Sequence, residues 1–179
     1  GLYTRKAGLL LVLADVSEAG SEARQEHIDQ AIQALEKAVE IQPQDAALLL
    51  RVAALQRAAG SLPEALAHSL SAAQANPAPS EALAACLLTA EIQQALLLPQ
   101  KALQTLDQFL PQPDQVATSQ LTAYHCLRGE LALLAGDVEK ATQSLVQGME
   151  YHPDDPRLLA LQSRLTAHRL PSERSLFPA

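Results

Sequence analysis

An all-helical protein built from helix hairpins is what this sequence predicts, and three observations carry the prediction. Apolar residues make up 48% of the chain and aromatics only 3%, while alanine, leucine, glutamine and glutamate, all good helix formers, dominate. The apolar positions recur at spacings of three and four, the period of one helix face. Helix starts and stops then recur about every 34 residues, the length of a two-helix repeat.

The elements follow in chain order. Thr4 to Ala14 reads as a first helix, and Asp29 to Pro43 as the second, with Ala31, Leu35 and Ala38 on its inner side. Leu48, Leu49, Val52 and Leu55 give the third helix its apolar face. Gly60 ends it, because glycine enters the left-handed conformation of a helix stop without strain. Ser61 and Glu64 have the spacing of a capping box that opens a fourth helix, with Pro63 tolerated in its first turn. Asn76-Pro77 stops that helix.

The unit from Ala46 to Pro79 resembles a tetratricopeptide repeat without a gap. Leu49, Val52 and Ala53 stand where that family has an aromatic, a leucine and a glycine, and Gly60, Ala65, Ala72 and Pro77 at its glycine, two alanines and closing proline. Gln56 and Ser69 depart from it, since large aromatics are usual there. The resemblance implies close helix contact at Ala53, Ala65 and Ala72, and at Gly8 in the unit before. Ala31 precedes Ala65 by one repeat of about 34 residues, but about eleven residues more than the family uses separate Gly8 from Ala31. That is about three helical turns, so the second helix is expected to start near Ser21 to Gln25, with the turn at Asp15 to Gly20 projecting. The implied architecture is a right-handed α-solenoid of four hairpins (residues 4–45, 46–79, 80–116 and 117–155), a capping helix (156–168), and a tail or linker (169–179).

The later elements fit with more adjustment. Ser80 to Leu83 opens a helix carrying Leu83, Cys86, Leu87 and Ala90, and its partner carries Ala102, Leu106, Phe109 and Leu110. The turn between them, at Leu96 to Pro99, is about three residues too long and has no glycine. Pro111 to Asp114 breaks the chain, and Asp114 is the expected N-cap of a long helix to Ala135. Gly129, Gly136, Ala141 and Pro153 hold the fourth register, with Arg128 in a place that is usually apolar. Arg157 to His168 is the capping helix, with Leu158, Leu159, Leu161 and Leu165 inward. In the tail, Leu176 and Phe177 are candidates for docking.

Charge and spacing exclude several functions. A net charge of −7 and a pI near 5.1, with the basic residues scattered, argue against nucleic acid. Cys86 and Cys126 read as buried thiols. No histidine pairs at four-residue spacing with another ligand, and no glycine-rich phosphate loop is present, so no metal, no cofactor and no enzyme are expected. No run of about 18 apolar residues exists, so no membrane insertion is expected. Glycine at position 1 suggests a trimmed start; a cytoplasmic location is expected, with the periplasm as the alternative.

In such repeats the first helices line the concave side, and the register gives the residues that face it. They are Arg5, Leu9, Val12 and Leu13 in the first repeat, and Leu50, Ala54, Arg57 and Ala58 in the second. The third adds Ala84, Leu88, Glu91 and Ile92, and the fourth Cys126, Glu130, Leu133 and Leu134. This apolar trough with a few charges suits an amphipathic helix or a leucine-rich extended segment. The resemblance implies a non-enzymatic scaffold or adaptor for a partner protein, in assembly, secretion or chaperoning. A regulatory or docking domain cut from a larger enzyme such as a transferase is the second reading, and a homodimer through a leucine-rich face the third. Asn76 is the only asparagine and lies in a turn, so the family's carboxylate clamp is missing.

Overall fold

The computed structural model describes residues 1–17 and 21–169, and among these it contains helices and no strand. The helices are α1 (Leu2–Val16), α2 (Glu22–Ile41), α3 (Ala46–Ala58), α4 (Leu62–Gln74), α5 (Pro79–Ala95), α6 (Pro99–Gln108), α7 (Thr118–Leu134), α8 (Val138–Tyr151) and α9 (Pro156–Arg169). None is long and apolar enough to cross a membrane. The chain forms two compact units, Gly1–Leu96 and Leu97–Ala179. The third predicted repeat falls across that division, its first helix in the first unit and its second helix in the other. The tail, with Leu176 and Phe177, lies outside the described residues, as does part of the turn at Asp15 to Gly20.

In the first unit α1 pairs with α2, α3 with α4, and α5 packs on both α3 and α4. Ser21 caps α2 by accepting the Arg24 N–H, so the extra turns do sit at the start of that helix. Ala7, Leu10, Ala31, Ala34, Leu35 and Ala38 form the core with Leu48 and Val52. Gly8 corrects an expectation: none of the described residues packs within 4 Å of where its Cβ would be, and the close contact is made by the fully buried Ala7.

Asp45 caps α3 by accepting the Leu48 N–H at 2.9 Å. Gly60, at φ +86°, closes the helix in a Schellman motif, donating to the Arg57 carbonyl while Ser61 N–H reaches the Gln56 carbonyl. That motif also explains why the predicted capping box does not form. It holds Ser61 at ψ 66°, far from the ψ of 149° at Ser21, and the Ser61 hydroxyl makes no cap bond. Ala53, Ala65 and Ala72 are fully buried, as close helix approach requires. Asn76 takes a left-handed φ of 53° just before Pro77. Where the turn after α5 lacks glycine, Leu97 adopts φ 60°, with its side chain exposed.

In the second unit α7 packs on α6 and α8, and α9 on α7 and α8. Helix α6 ends at Gln108, earlier than predicted, leaving Phe109 extended and Leu110 exposed. Pro111 disfavours helical geometry at Leu110, and the Tyr124 hydroxyl lies 2.8 Å from the Leu106 carbonyl and 2.9 Å from the Phe109 carbonyl, serving the helix end. Asp114 does not cap α7; it sits in a 3₁₀ turn, Pro113–Gln115, and α7 starts after Ala117. Gly136, at φ +80°, repeats the Schellman stop, and Asp137 caps α8 through the Lys140 N–H. In α9, Leu158, Leu161 and Leu165 are buried, whereas Leu159 points outward. Gly129 and Gly148 make room for Leu161 and Leu158, so two glycines set how closely α9 docks.

Polar groups cross several helix junctions within the units, and three of these bonds, Glu36–Gln56, Ser69–Thr89 and Asp107–Arg128, join residues 20 or 21 apart in the chain. Gln56 in α3 donates to Glu36 in α2 at 2.9 Å, and its carbonyl oxygen is 2.8 Å from His68 Nδ1 in α4. Thr89 in α5 donates to Ser69 in α4 at 3.0 Å, and Ser69 to the Leu66 carbonyl. Asp107 in α6 accepts from Arg128 in α7 at 2.8 Å and from Lys140 in α8 at 2.7 Å, and Arg128 also donates to Ser144. Burial raises the Asp107 pKa, but the bonds from Lys140 and Arg128 outweigh it and leave the carboxyl below its usual value. The positions that depart from the family pattern, Gln56, Ser69 and Arg128, thus each carry a bond between helices.

Candidate protein-binding face

Helix α1 buries Ala7, Leu10 and Ala14 and leaves the opposite face open. On that face Leu2, Leu9, Val12, Leu13 and Val16 are 47–80% exposed, and Arg5 and Lys6 lie among them. All four α1 residues given by the register, Arg5, Leu9, Val12 and Leu13, are therefore at the surface. Leu2 and Val16 extend the stripe at both ends; their seven-residue steps from Leu9 were the signal in the sequence that could have found them.

The α3 and α5 positions divide. Ala54, Arg57 and Ala58 are exposed and Leu50 half-buried; Arg57 meets Glu91 of α5 in an ion pair at 2.6 Å. Ala84 is half-buried. Leu88 and Ile92 are corrections: they pack with Ala53 and Ala65 in a core cluster and are closed to a partner. In the second unit Cys126 and Leu133 are corrections of the same kind, since both are buried. Glu130 is half-buried and Leu134 exposed. Leu133 and Leu134 border an open cleft with Arg164, Ala167 and His168 of α9. Helix α9 also brings Arg157 near Cys126 and Glu130, and burial pushes the Cys126 thiol up to about 11 against the pull of that cation.

A cleft of about 320 Å³ between α6, α7 and α8 has no sequence signal. Arg128, Gln143, Gln147 and Tyr151 line it beside His125. The His125 ring stacks on Tyr151 at 5.9 Å, its Nδ1 is buried without a hydrogen-bond partner among the described residues, and burial, with the Arg128 charge, lowers its pKa to about 4. Among the described residues no group of three or more His, Cys, Asp or Glu is placed to hold a metal ion.

No protein-family model matches the sequence, and no curated protein matches it. Solved structures do. A tetratricopeptide repeat protein from Parabacteroides merdae ATCC 43184 is 20% identical with a TM-score of 0.63, over 90% of this chain and 59% of that one, so the chain spans about three fifths of its length. MamA is 15% identical, TM-score 0.66, over 86% of this chain and 85% of its own. A thermophilic TPR protein in Thermus thermophilus is 22% identical, TM-score 0.57, over 93% of this chain and 81% of its own. At these identities the likeness is one of fold.

Proposed function

We propose that this chain, whose fold is that of tetratricopeptide-repeat proteins, is a protein-interaction module that holds a leucine-bearing amphipathic helix or extended segment of another polypeptide. One observation carries the reading: five large apolar side chains stand open in a single stripe along α1. Fully burying a leucine or valine is worth about 1.5–3 kcal/mol, so a partner covering the stripe gains much of its affinity there. Scattered exposed leucines would have no such meaning, but a contiguous patch marks an interaction surface. Arg5 and Lys6 within the stripe favour a partner that brings a carboxylate to its edge.

A photo-cross-linking residue at position 13 of the full chain identifies the polypeptide held there, and calorimetry with that purified polypeptide measures its affinity. Leu9→Glu plus Leu13→Glu should abolish the binding while circular dichroism stays helical, since both side chains are at the surface. Equal affinity in the doubly substituted protein would remove the α1 face from the interaction.

A further inference from the structure

The exposed apolar side chains of α1 have a symmetry of their own. Leu2, Leu9 and Val16 are seven residues apart, and seven residues fall about 20° short of two full turns, so the three lie nearly in line. Val12 and Leu13 flank that line on either side. Leu9 is its midpoint. Such a stripe is complementary to itself: a second α1 laid antiparallel sets Leu9 against the copy's Leu9, and Leu2 level with the copy's Val16.

Charge distinguishes the two possible directions. Arg5 and Asp15 are both exposed, and ten residues at about 100° each set them about 80° apart on one side of the stripe, Arg5 close beside the Leu9 line and Asp15 further round, within reach of a long arginine side chain of the copy. In the antiparallel pair, Arg5 of one helix stands two residues, about 3 Å of rise, from the level of Asp15 on the other, and the symmetry makes this contact twice. A parallel pair would set Arg5 against Arg5. The helix dipoles also oppose in the antiparallel arrangement.

We infer that the exposed face of α1 is where two copies of this chain pair, antiparallel, about a two-fold axis passing Leu9. The inference rests on the reading of α1 as an interaction face and names its occupant. The contact is isologous, so it closes on itself and stops at a dimer. One helix face is small beside the interface of a permanent dimer, so the expected dimer is a reversible, concentration-dependent one.

Sedimentation velocity of the full chain at two concentrations about a hundredfold apart tests this. The expected result is a shift from monomer to dimer, lost in Leu9→Glu with circular dichroism unchanged. Arg5→Asp should weaken the dimer several-fold, and Arg5→Asp combined with Asp15→Arg should restore it. Leu9→Cys should form a disulfide-linked dimer with oxidised glutathione, while Leu13→Cys, which the pairing sets opposite Arg5, should not. The natural thiols Cys86 and Cys126 are buried and give no background link. A chain monomeric at both concentrations, a dimer indifferent to Leu9→Glu, or equal linking at positions 9 and 13 would overturn the inference. If the chain is monomeric while a different polypeptide is captured at position 13, the interaction reading stands and only the second copy falls.

Discussion

A Cβ on Gly129 would lie 2.5 Å from Cδ2 of Leu161, closer than real carbon contacts allow. Ser144 Cβ is 3.3 Å and the Ala141 carbonyl oxygen 3.5 Å from the same point, so the new methyl is crowded by α8 as well as by α9. Gly129→Ala should therefore push α9 outward. Overpacking costs about 1–3 kcal/mol and the gain in helix propensity returns about 0.5–1, so the net loss should be about 1 kcal/mol. Urea denaturation measures it; a stabilised variant would mean that Leu161 yields freely.

The same substitution at Gly8 should have the opposite sign. Gly8 is inside α1 and no described residue approaches its Cβ position, so the backbone term dominates. Gly8→Ala should stabilise the protein by about 0.5–1 kcal/mol in the same measurement. A loss would show that a neighbour does pack against that position.

Gln56 is almost fully buried, and its amide bonds to Glu36 and His68 on two other helices. Gln56→Ala removes both bonds and leaves a cavity, at a cost of about 2 kcal/mol. Chemical denaturation reads this directly, and a change within error would show that the amide contributes nothing net to stability.

His125 predicts an acid dependence. Its pKa falls from 6.5 to about 4 in the folded protein, mainly through burial, so below pH 6.5 the unfolded chain takes up a proton that the folded chain refuses. Stability from this group is complete above pH 6.5 and declines as pH falls from 6.5 toward 4. His125→Phe keeps a ring against Tyr151 and removes the titration, so the melting temperature should fall less steeply over that window. Equal slopes in the two proteins would assign the acid loss to other groups.

Burial pushes the thiol of Cys86 up to about 12 and that of Cys126 to about 11. Thiolate is the reactive form, so near pH 8 neither should react with Ellman's reagent in the folded protein, and both should react once it is unfolded. Rapid labelling of the native state would place a thiol at the surface.

Much of this fold is legible in the chain because the signals are local. Gly60 and Gly136 stop helices where a positive φ is needed, and the spacing of Ala31, Leu35 and Ala38 marks the buried side of α2. The misses arise where a neighbour decides. Ser61 and Glu64 have the spacing of a capping box, but the motif that ends α3 has already set the backbone of Ser61. Register shows that Leu88 and Ile92 share a side of α5, not that Ala53 and Ala65 pack over them. Gly8 and Gly129 are alike in sequence, and only the structure shows that Leu161 fills the space at one and nothing fills it at the other. The α1 stripe was partly visible in the sequence, at Leu9, Val12 and Leu13; its ends at Leu2 and Val16 required the helix to run two residues further each way.

The bonds at Glu36–Gln56, Ser69–Thr89 and Asp107–Arg128 bear on how such a chain can evolve. Each seam is keyed by a different chemistry: a carboxylate with an amide, two hydroxyls, a carboxylate with a guanidinium. A helix pair transplanted into another place would meet a different partner, a neutral hydroxyl where its amide or guanidinium had met a carboxylate, and would exchange a charge-assisted bond for a weaker neutral one. Each of these seams, taken within its own unit, has its own pair of partners, and keeping the bond at full strength after an exchange would require matched changes on both sides of it.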